Sequence, residues 1–405
     1  MRAKKRAIWQ VLMLFTVVAI AAGITGCPPQ QQPDDTLPPD MTPDGLQPQG
    51  EPIKIGAIFA LTGPASSLGE PEGETARMLQ DQINAEGGID GRPIEILIRD
   101  TKGDETEGLA VTRELIDREN VVAIIGPSRS GTTLGIIETI QQAEIPLVAC
   151  AAASKITDPV KEWVFVTPQN DADAVARIYG YLNAEGINKI ALMTSSDGYG
   201  IAGLEQHQVQ AGQAGLEIVA NEEFTDKDTD MTAQLTKIKG TDAGAVICWG
   251  IGPAPALIAK QMNQLGLTMP LIQSHGVANK RFIEAAGDQA EGVILPAGKL
   301  LVAEQLPDDD PQKELLVTYA QQFEERYGKE ADTFGGHAWD AVMLVVNAIR
   351  ENGAEPAQIR EGLENTTDFV GIGGTFNFSA ESHYGLSPEA FVMVRIENGD
   401  WTLIQ

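Results

Sequence analysis

The sequence predicts an α/β protein of two doubly wound parallel-sheet lobes, and three observations lead there. Its strand-like runs are apolar throughout rather than alternating, as in a sheet covered on both faces. They alternate strictly with stretches of helical length and period. The alternation runs once between residues 53 and 166 and then starts again, which fits two successive units better than one.

In the first unit, Ile53–Ala60 is a short apolar strand that ends at the turn Thr62-Gly63-Pro64. Residues 70–87 read as a helix stopped by Gly87-Gly88, residues 94–98 as a strand, 105–119 as a helix and 121–125 as a strand. A helix over 131–143 and a buried strand over 146–149 complete it. The second unit opens after Trp163-Val164-Phe165-Val166, with helices over 171–185 and 199–214 around a strand at 189–193. Further strands follow at 216–219, 245–249 and 271–272, with helices over 230–239 and 253–265. The tail breaks this rhythm with long helices over 311–328 and 334–351, then hairpin-like strands over 375–405 with turns at Tyr384-Gly385 and Asn398-Gly399. A chain ordered lobe, lobe, helices, hairpin passes between its lobes more than once.

The N-terminus speaks of location. Arg2, Lys4, Lys5 and Arg6 precede an apolar run over residues 8–24, which closes with Ile24-Thr25-Gly26-Cys27. A positive head, apolar middle and small-residue exit describe an export signal over residues 1–26. The run is nearly long enough for a transmembrane anchor, but no Lys or Arg follows until Lys54 to stop transfer. The ending resembles a bacterial lipobox, which implies acylation of Cys27 as the first mature residue. Residues 27–52 then form a tether: residues 28–52 contain eight prolines, five glutamines and almost no large apolar side chain.

Of 29 Lys and Arg, four lie in the signal, leaving 25 against 57 Asp and Glu and a mature formal charge of −32. Such acidity excludes nucleic acid as a partner and keeps the protein body off anionic lipid. Besides Cys27 only Cys150 and Cys248 remain, each ending an apolar run, where a buried unpaired thiol is the expectation.

Catalytic chemistry is hard to find. Gly126-Pro127-Ser128-Arg129-Ser130-Gly131 sits between a strand and a helix, yet Thr132 and Thr133 follow where a phosphate loop needs Lys and then Ser or Thr. Ser130 lacks the preceding glycine of a nucleophile elbow. His207, His275, His337 and His383 lie too far apart for paired metal ligands, so neither a metal nor a cofactor is expected. What the 126–133 segment does offer is a loop at the carboxyl end of a parallel strand, opening a helix N-terminus suited to an anion. Plain N-capping by Ser130 explains the same residues, and the two readings stay open on local grounds.

Longer stretches are similar to the type I periplasmic binding proteins of the leucine/isoleucine/valine-binding family. The similarity rests on Ile53–Pro64, Asn84–Pro93, Val122–Thr133, Ala149–Pro159, Asp197-Gly198-Tyr199-Gly200, Ala290-Glu291-Gly292 and the Asn398-Gly399 hairpin, in order from about residue 53 to 405. Ala245–Gly250 with Gln273–Ala278 resembles one branch, whose members are named as branched-chain amino acid transporter components. The resemblance implies two lobes joined by three crossings, near residues 167–172, 296–299 and 371–375, closing on a solute like a hinged clamp. Lobe 1 is then 53–170 with 298–372, and lobe 2 is 171–297 with 373–405.

It also implies site residues. Ser130 would hold a ligand carboxylate beside Ser128, with backbone groups of Ala151, Ala152 and Ala153. Tyr199 would cap the ligand and Phe334 would form an aromatic wall. The departures are informative. Where amino-acid binders place a carboxylate against the ligand ammonium, this chain has His275, which cannot supply that charge. A hydroxyl residue common in the next loop aligns with Ala153, with Ser154 one place on. Aromatic positions are Leu68 and Ile251, and Arg129 is placed to pair with a ligand carboxylate in bidentate fashion unless it faces solvent.

The resulting expectation is a non-enzymatic, extracytoplasmic, lipid-anchored solute receptor of an ABC importer, partnered by a permease and its ATPase. Its ligand would be a branched-chain amino acid or, favoured by His275, an amine-free aromatic or aliphatic carboxylate. The alternative is a sensor subunit on the same fold feeding a signalling partner.

Overall fold

In the computed structural model, which describes residues 48–404, the central strand runs are buried on both faces while most edge strands are partly exposed. In β1 (Ile53–Phe59), Ile55 and Ala57 point to one core and Ile58 to another, all fully buried. The unit continues through α1 (Ser66–Ala85), β2 (Ile94–Asp100), α2 (Glu105–Glu114), β3 (Ala123–Ile125), α3 (Ser130–Ala143), β4 (Leu147–Ala149) and β5 (Val164–Val166). All five strands are parallel in the order β2-β1-β3-β4-β5.

The second unit contains α4 (Asp171–Ala184), β6 (Lys189–Ser195), α5 (Gly198–Ala211), β7 (Glu217–Phe224), α6 (Thr232–Lys239), β8 (Ala245–Trp249), α7 (Ala254–Gln264), β9 (Leu271–Gln273), α8 (Lys280–Ala286) and β10 (Ile294–Gly298). Then come α9 (Lys313–Tyr327), α10 (Thr333–Asn352), α11 (Pro356–Glu364), the short pair β11 (Phe369–Val370) and β12 (Thr375–Phe376), and the hairpin β13 (Phe391–Glu397) and β14 (Asp400–Leu403). The second sheet runs β14-β13-β10-β9-β8-β6-β7, parallel from β7 to β10 and antiparallel at β13 and β14. Apart from that hairpin, both sheets share one winding: the first strand lies between the second and third.

The chain passes from β5 to α4 across residues 167–170. It leaves the second sheet at the end of β10, but α9 still buries Leu316, Tyr319 and Phe323 in the core shared with that sheet. α9 also bonds α1 of the first lobe, Tyr319 to Thr75 at 2.8 Å, and α10 then packs against α1. The final passage is longer than residues 371–375: Phe376 and Phe378 lie in the first core, and the chain joins the second sheet at Phe391. Two buried glutamines tie the passages together. Gln169 Nε2 donates to Gly373 O (2.7 Å) and Gln312 Nε2 to Gly371 O (2.8 Å). Asp340 on α10 accepts from the Ile372 and Gly373 N–H groups at 2.6 and 2.7 Å. Residues 375–390 therefore include no hairpin at Tyr384-Gly385. Instead, Tyr384 bridges α4, donating to Asp173 (2.8 Å) and accepting from Asn170 N–H (3.1 Å).

Cys150 and Cys248 are buried and unpaired. Cys27, the signal segment and most of the tether lie outside the described residues.

Candidate functional site

Where strand order reverses, the loops on either side diverge and leave a crevice at the carboxyl ends of the strands. Here that happens twice, between β1 and β3 and between β6 and β8. One cleft, whose open space with the solvent at its mouth is about 630 Å³, lies against both points. Its wall takes Leu68 and the Ser128–Thr132 turn from one lobe, and Asp197, Gly198, Tyr199 and Ile251 from the other. Ala151 and Ala152 after β4, His275 and Gly276 after β9, and Phe334 and His337 on α10 complete it, with Gly103 and Glu105 at the start of α2.

Gly126 sets up the turn after β3. Its φ is +83°, and a Cβ there would come 2.2 Å from Ile58 O, so only glycine brings the turn this close to β1. The Ser128 hydroxyl is committed to protein: it accepts from Ala60 N–H at 3.0 Å and donates to Glu72 Oε2. Glu72 is fully buried, and that burial pushes its carboxyl well above the usual range. Ser130 does not cap α3. It is the first helical residue, and its Oγ instead accepts from Ala153 N–H at 3.3 Å. The first-turn N–H groups of Ser130, Gly131 and Thr132 therefore keep their capacity for an anion. Thr132 Oγ1 is buried without a partner.

Arg129 neither faces solvent nor has a free fork. It donates to Gly103 O at 2.9 Å and to Asp197 Oδ2 at 2.5 Å, the latter in the opposite lobe. Asp197 in turn caps α5, accepting from Gly200 N–H at 2.9 Å. Ala153 stands behind the wall, and Ser154 turns away to donate to Asp171. Tyr199, in the first turn of α5, brings its hydroxyl 3.4 Å from His275 Nδ1 and tilts its ring against Trp249 at 5.5 Å. Burial pulls the imidazoles of His275 and His337 down to about 3, so both are neutral.

The family model described as periplasmic binding protein matches residues 52–400. This chain belongs to that family, on its type I fold. The leucine/isoleucine/valine-binding protein BraC3 of Rhizobium johnstonii is 26% identical, over 82% of this chain and 90% of its own length. An extracellular ligand-binding receptor from Rhodopseudomonas palustris HaA2 superposes with a TM-score of 0.83 at 27% identity, covering 88% of this chain and all of the other. The branched-chain amino acid transporter substrate binding protein LivJ of Streptococcus pneumoniae, solved with isoleucine, gives 0.77 at 26% identity, covering 87% of this chain and 99% of that one. These relatives place the binding protein in the branched-chain amino acid transporter type.

Membership implies a location outside the cytoplasm. Among the described residues no helix is long and apolar enough to cross a membrane, and no cluster of His, Cys, Asp and Glu is arranged to hold a metal.

Of the residues expected from sequence, the cavity of this binding protein gathers Leu68, Ser128, Arg129, Ser130, Ala151, Ala152, Tyr199, Ile251, His275 and Phe334. Sequence reasoning missed Glu105 and His337. For His337 the signal was present: it follows Phe334 by three residues on one helix, hence on the same face. Glu105 carried none, since only the packing of α2 on α3 brings its Oε1 to within 2.5 Å of where a Cβ on Gly131 would lie.

Proposed function

We propose that this periplasmic binding protein is the lipid-anchored solute receptor of an ABC importer. It is not an enzyme; its lobes close on a small carboxylate-bearing solute and present it to a permease driven by an ATPase. The carboxylate belongs at the first turn of α3, where Ser130, Gly131 and Thr132 line the cavity and the Thr132 hydroxyl has no protein partner. Supporting the anchor are the lipobox-like end of the signal segment and the proline-rich tether after Cys27.

For the ligand's class, the reading is supported by His275, a buried, neutral imidazole at the position that the sequence resemblance aligns with the anion of amino-acid binders. Enclosing an ammonium without that partner costs several kcal/mol. We therefore favour an amine-free aromatic or aliphatic carboxylate whose body packs on Leu68, Ile251, Tyr199 and Phe334. The competing ligand is a branched-chain amino acid, favoured by Glu105, a carboxylate in the same wall with no cation beside it in the way Asp197 has Arg129.

The test is a thermal-shift screen of the purified protein against neutral amino acids and against amine-free carboxylic acids, with calorimetry on every hit. A clamp that binds when closed melts higher with its ligand. Stabilisation by the acids alone supports the proposal. Tight binding of leucine or valine, lost in Glu105→Gln, establishes the amino-acid reading instead.

A further inference from the structure

Besides Thr132 Oγ1, two polar atoms on side chains that line the cavity have no hydrogen-bond partner. His275 Nε2 and His337 Nδ1 are buried without hydrogen-bond partners, on side chains only 6% and 4% exposed. They come from opposite lobes, His275 from the turn after β9 and His337 from the second turn of α10. Each imidazole is fixed by aromatic neighbours. His275 meets the rings of Tyr199, Trp249 and Phe391 edge-on at 5.3–5.8 Å, and His337 meets Phe334 at 6.0 Å. The unpartnered atoms are therefore held in place rather than free to turn toward solvent. An unsatisfied buried nitrogen costs about 1–3 kcal/mol, and a wall meant for a purely apolar ligand body would not keep two.

We propose that His275 and His337 together recognise a hydroxyl group on the solute, so that the preferred ligands are hydroxy-substituted carboxylic acids. This rests on the amine-free carboxylate reading above and refines it. A neutral imidazole nitrogen is either an N–H donor or a lone-pair acceptor, depending on tautomer. A hydroxyl both donates and accepts, so it matches either tautomer at either histidine. An ammonium only donates, and neither ring supplies the opposite charge its burial requires. A methyl or bare ring edge would leave both nitrogens unsatisfied. Because the two histidines stand on opposite lobes, a hydroxyl meeting both would also reward closure.

The experiment is calorimetry with matched probes, benzoate against 3- and 4-hydroxybenzoate, on the wild type and on His337→Phe, His337→Asn and His275→Phe. In the wild type one hydroxy acid should bind about tenfold or more tighter than benzoate. His337→Phe and His275→Phe should bring that ratio near one, with circular dichroism and a cooperative melt showing that each variant remains folded. His337→Asn, which restores a polar group, should recover part of the ratio. Equal affinities for benzoate and both hydroxy acids in the wild type would overturn the inference and leave the carboxylate reading standing. So would a ratio that survives in both phenylalanine variants. Binding of leucine with no response to any of the three acids would overturn both.

Discussion

Arg129 Nη2 donates to Asp197 Oδ2 at 2.5 Å across the cleft, joining the turn after β3 in one lobe to the turn before α5 in the other. The side chains are only 13% and 25% exposed, and Asp226 adds a second carboxylate at 3.9 Å from the guanidinium. A pair so placed exists only when the lobes are together. It stabilises the closed form, and it takes up the charge that a ligand carboxylate would otherwise use. Arg129→Met should weaken every ligand about tenfold, mainly through faster release, without changing their order of preference. Stopped-flow release rates for two ligands of different class check this. Loss confined to carboxylate ligands would show that Arg129 contacts the solute directly.

Gly198 sits at a close backbone approach between the lobes. A Cβ there would lie 2.7 Å from Gly131 Cα, and the obstacle is backbone, which cannot swing aside. Gly198→Ala should leave the melting temperature of the free protein nearly unchanged, because nothing within its own lobe is crowded. It should cut the ligand-induced rise sharply, because closure stops short. Small-angle scattering with and without ligand reads the same effect as a smaller compaction.

Much of this architecture was legible because buried parallel strands advertise themselves: Ala245–Trp249 and Ile53–Phe59 are apolar without interruption. β10 was hidden by its own composition. Ile294-Leu295-Pro296-Ala297-Gly298 contains a proline and a glycine, which normally argue against a strand, yet it pairs with β9 on one side and β13 on the other. The two-residue strands β11 and β12 fall below any periodic signal. In the site, the residues followed the strand ends, but their commitments did not. That Ser128 bonds Glu72, Ser130 bonds Ala153 and Arg129 bonds Asp197 depends on partners 56, 23 and 68 residues away.

Histidine burial gives the protein a pH signature. His275 and His337 are held near 3, against about 6.5 in an unfolded chain, chiefly by desolvation. Between those values the unfolded chain binds protons that the native state refuses, so stability falls as pH drops from 6.5 toward 3. Each histidine adds a slope of at most about 1.4 kcal/mol per pH unit. The buried acids Glu72 and Asp340, whose carboxyls are pushed up, contribute with the opposite sign, losing stability as pH rises above the ordinary carboxylate range. Subtraction isolates the histidines, since both acids remain in a His275→Gln/His337→Gln variant. Urea unfolding of wild type and variant at pH 7.0, 5.5 and 4.5 should show a smaller loss in the variant on acidification. Parallel curves would mean that the imidazoles are protonated in the native state.

The substitution with most to say about ligand choice is His275→Glu. It puts a carboxylate beside the ring of Tyr199, at the position proposed above to correspond to the ammonium site of amino-acid binders. Without a ligand, the new side chain is a charge surrounded by Trp249, Tyr199 and Phe391, so the free protein should lose about 1–3 kcal/mol of stability at neutral pH. That loss should shrink below pH 5, where the carboxyl is protonated. With leucine, the ammonium supplies the missing opposite charge, so leucine should raise the melting temperature of the variant more than that of the wild type. Amine-free acids should lose affinity, because they bring nothing to neutralise the glutamate. Calorimetry with leucine and with benzoate on both proteins measures this crossover directly. A variant that gains nothing for leucine while benzoate binding is unchanged would show that position 275 does not face the part of the ligand that carries an amine.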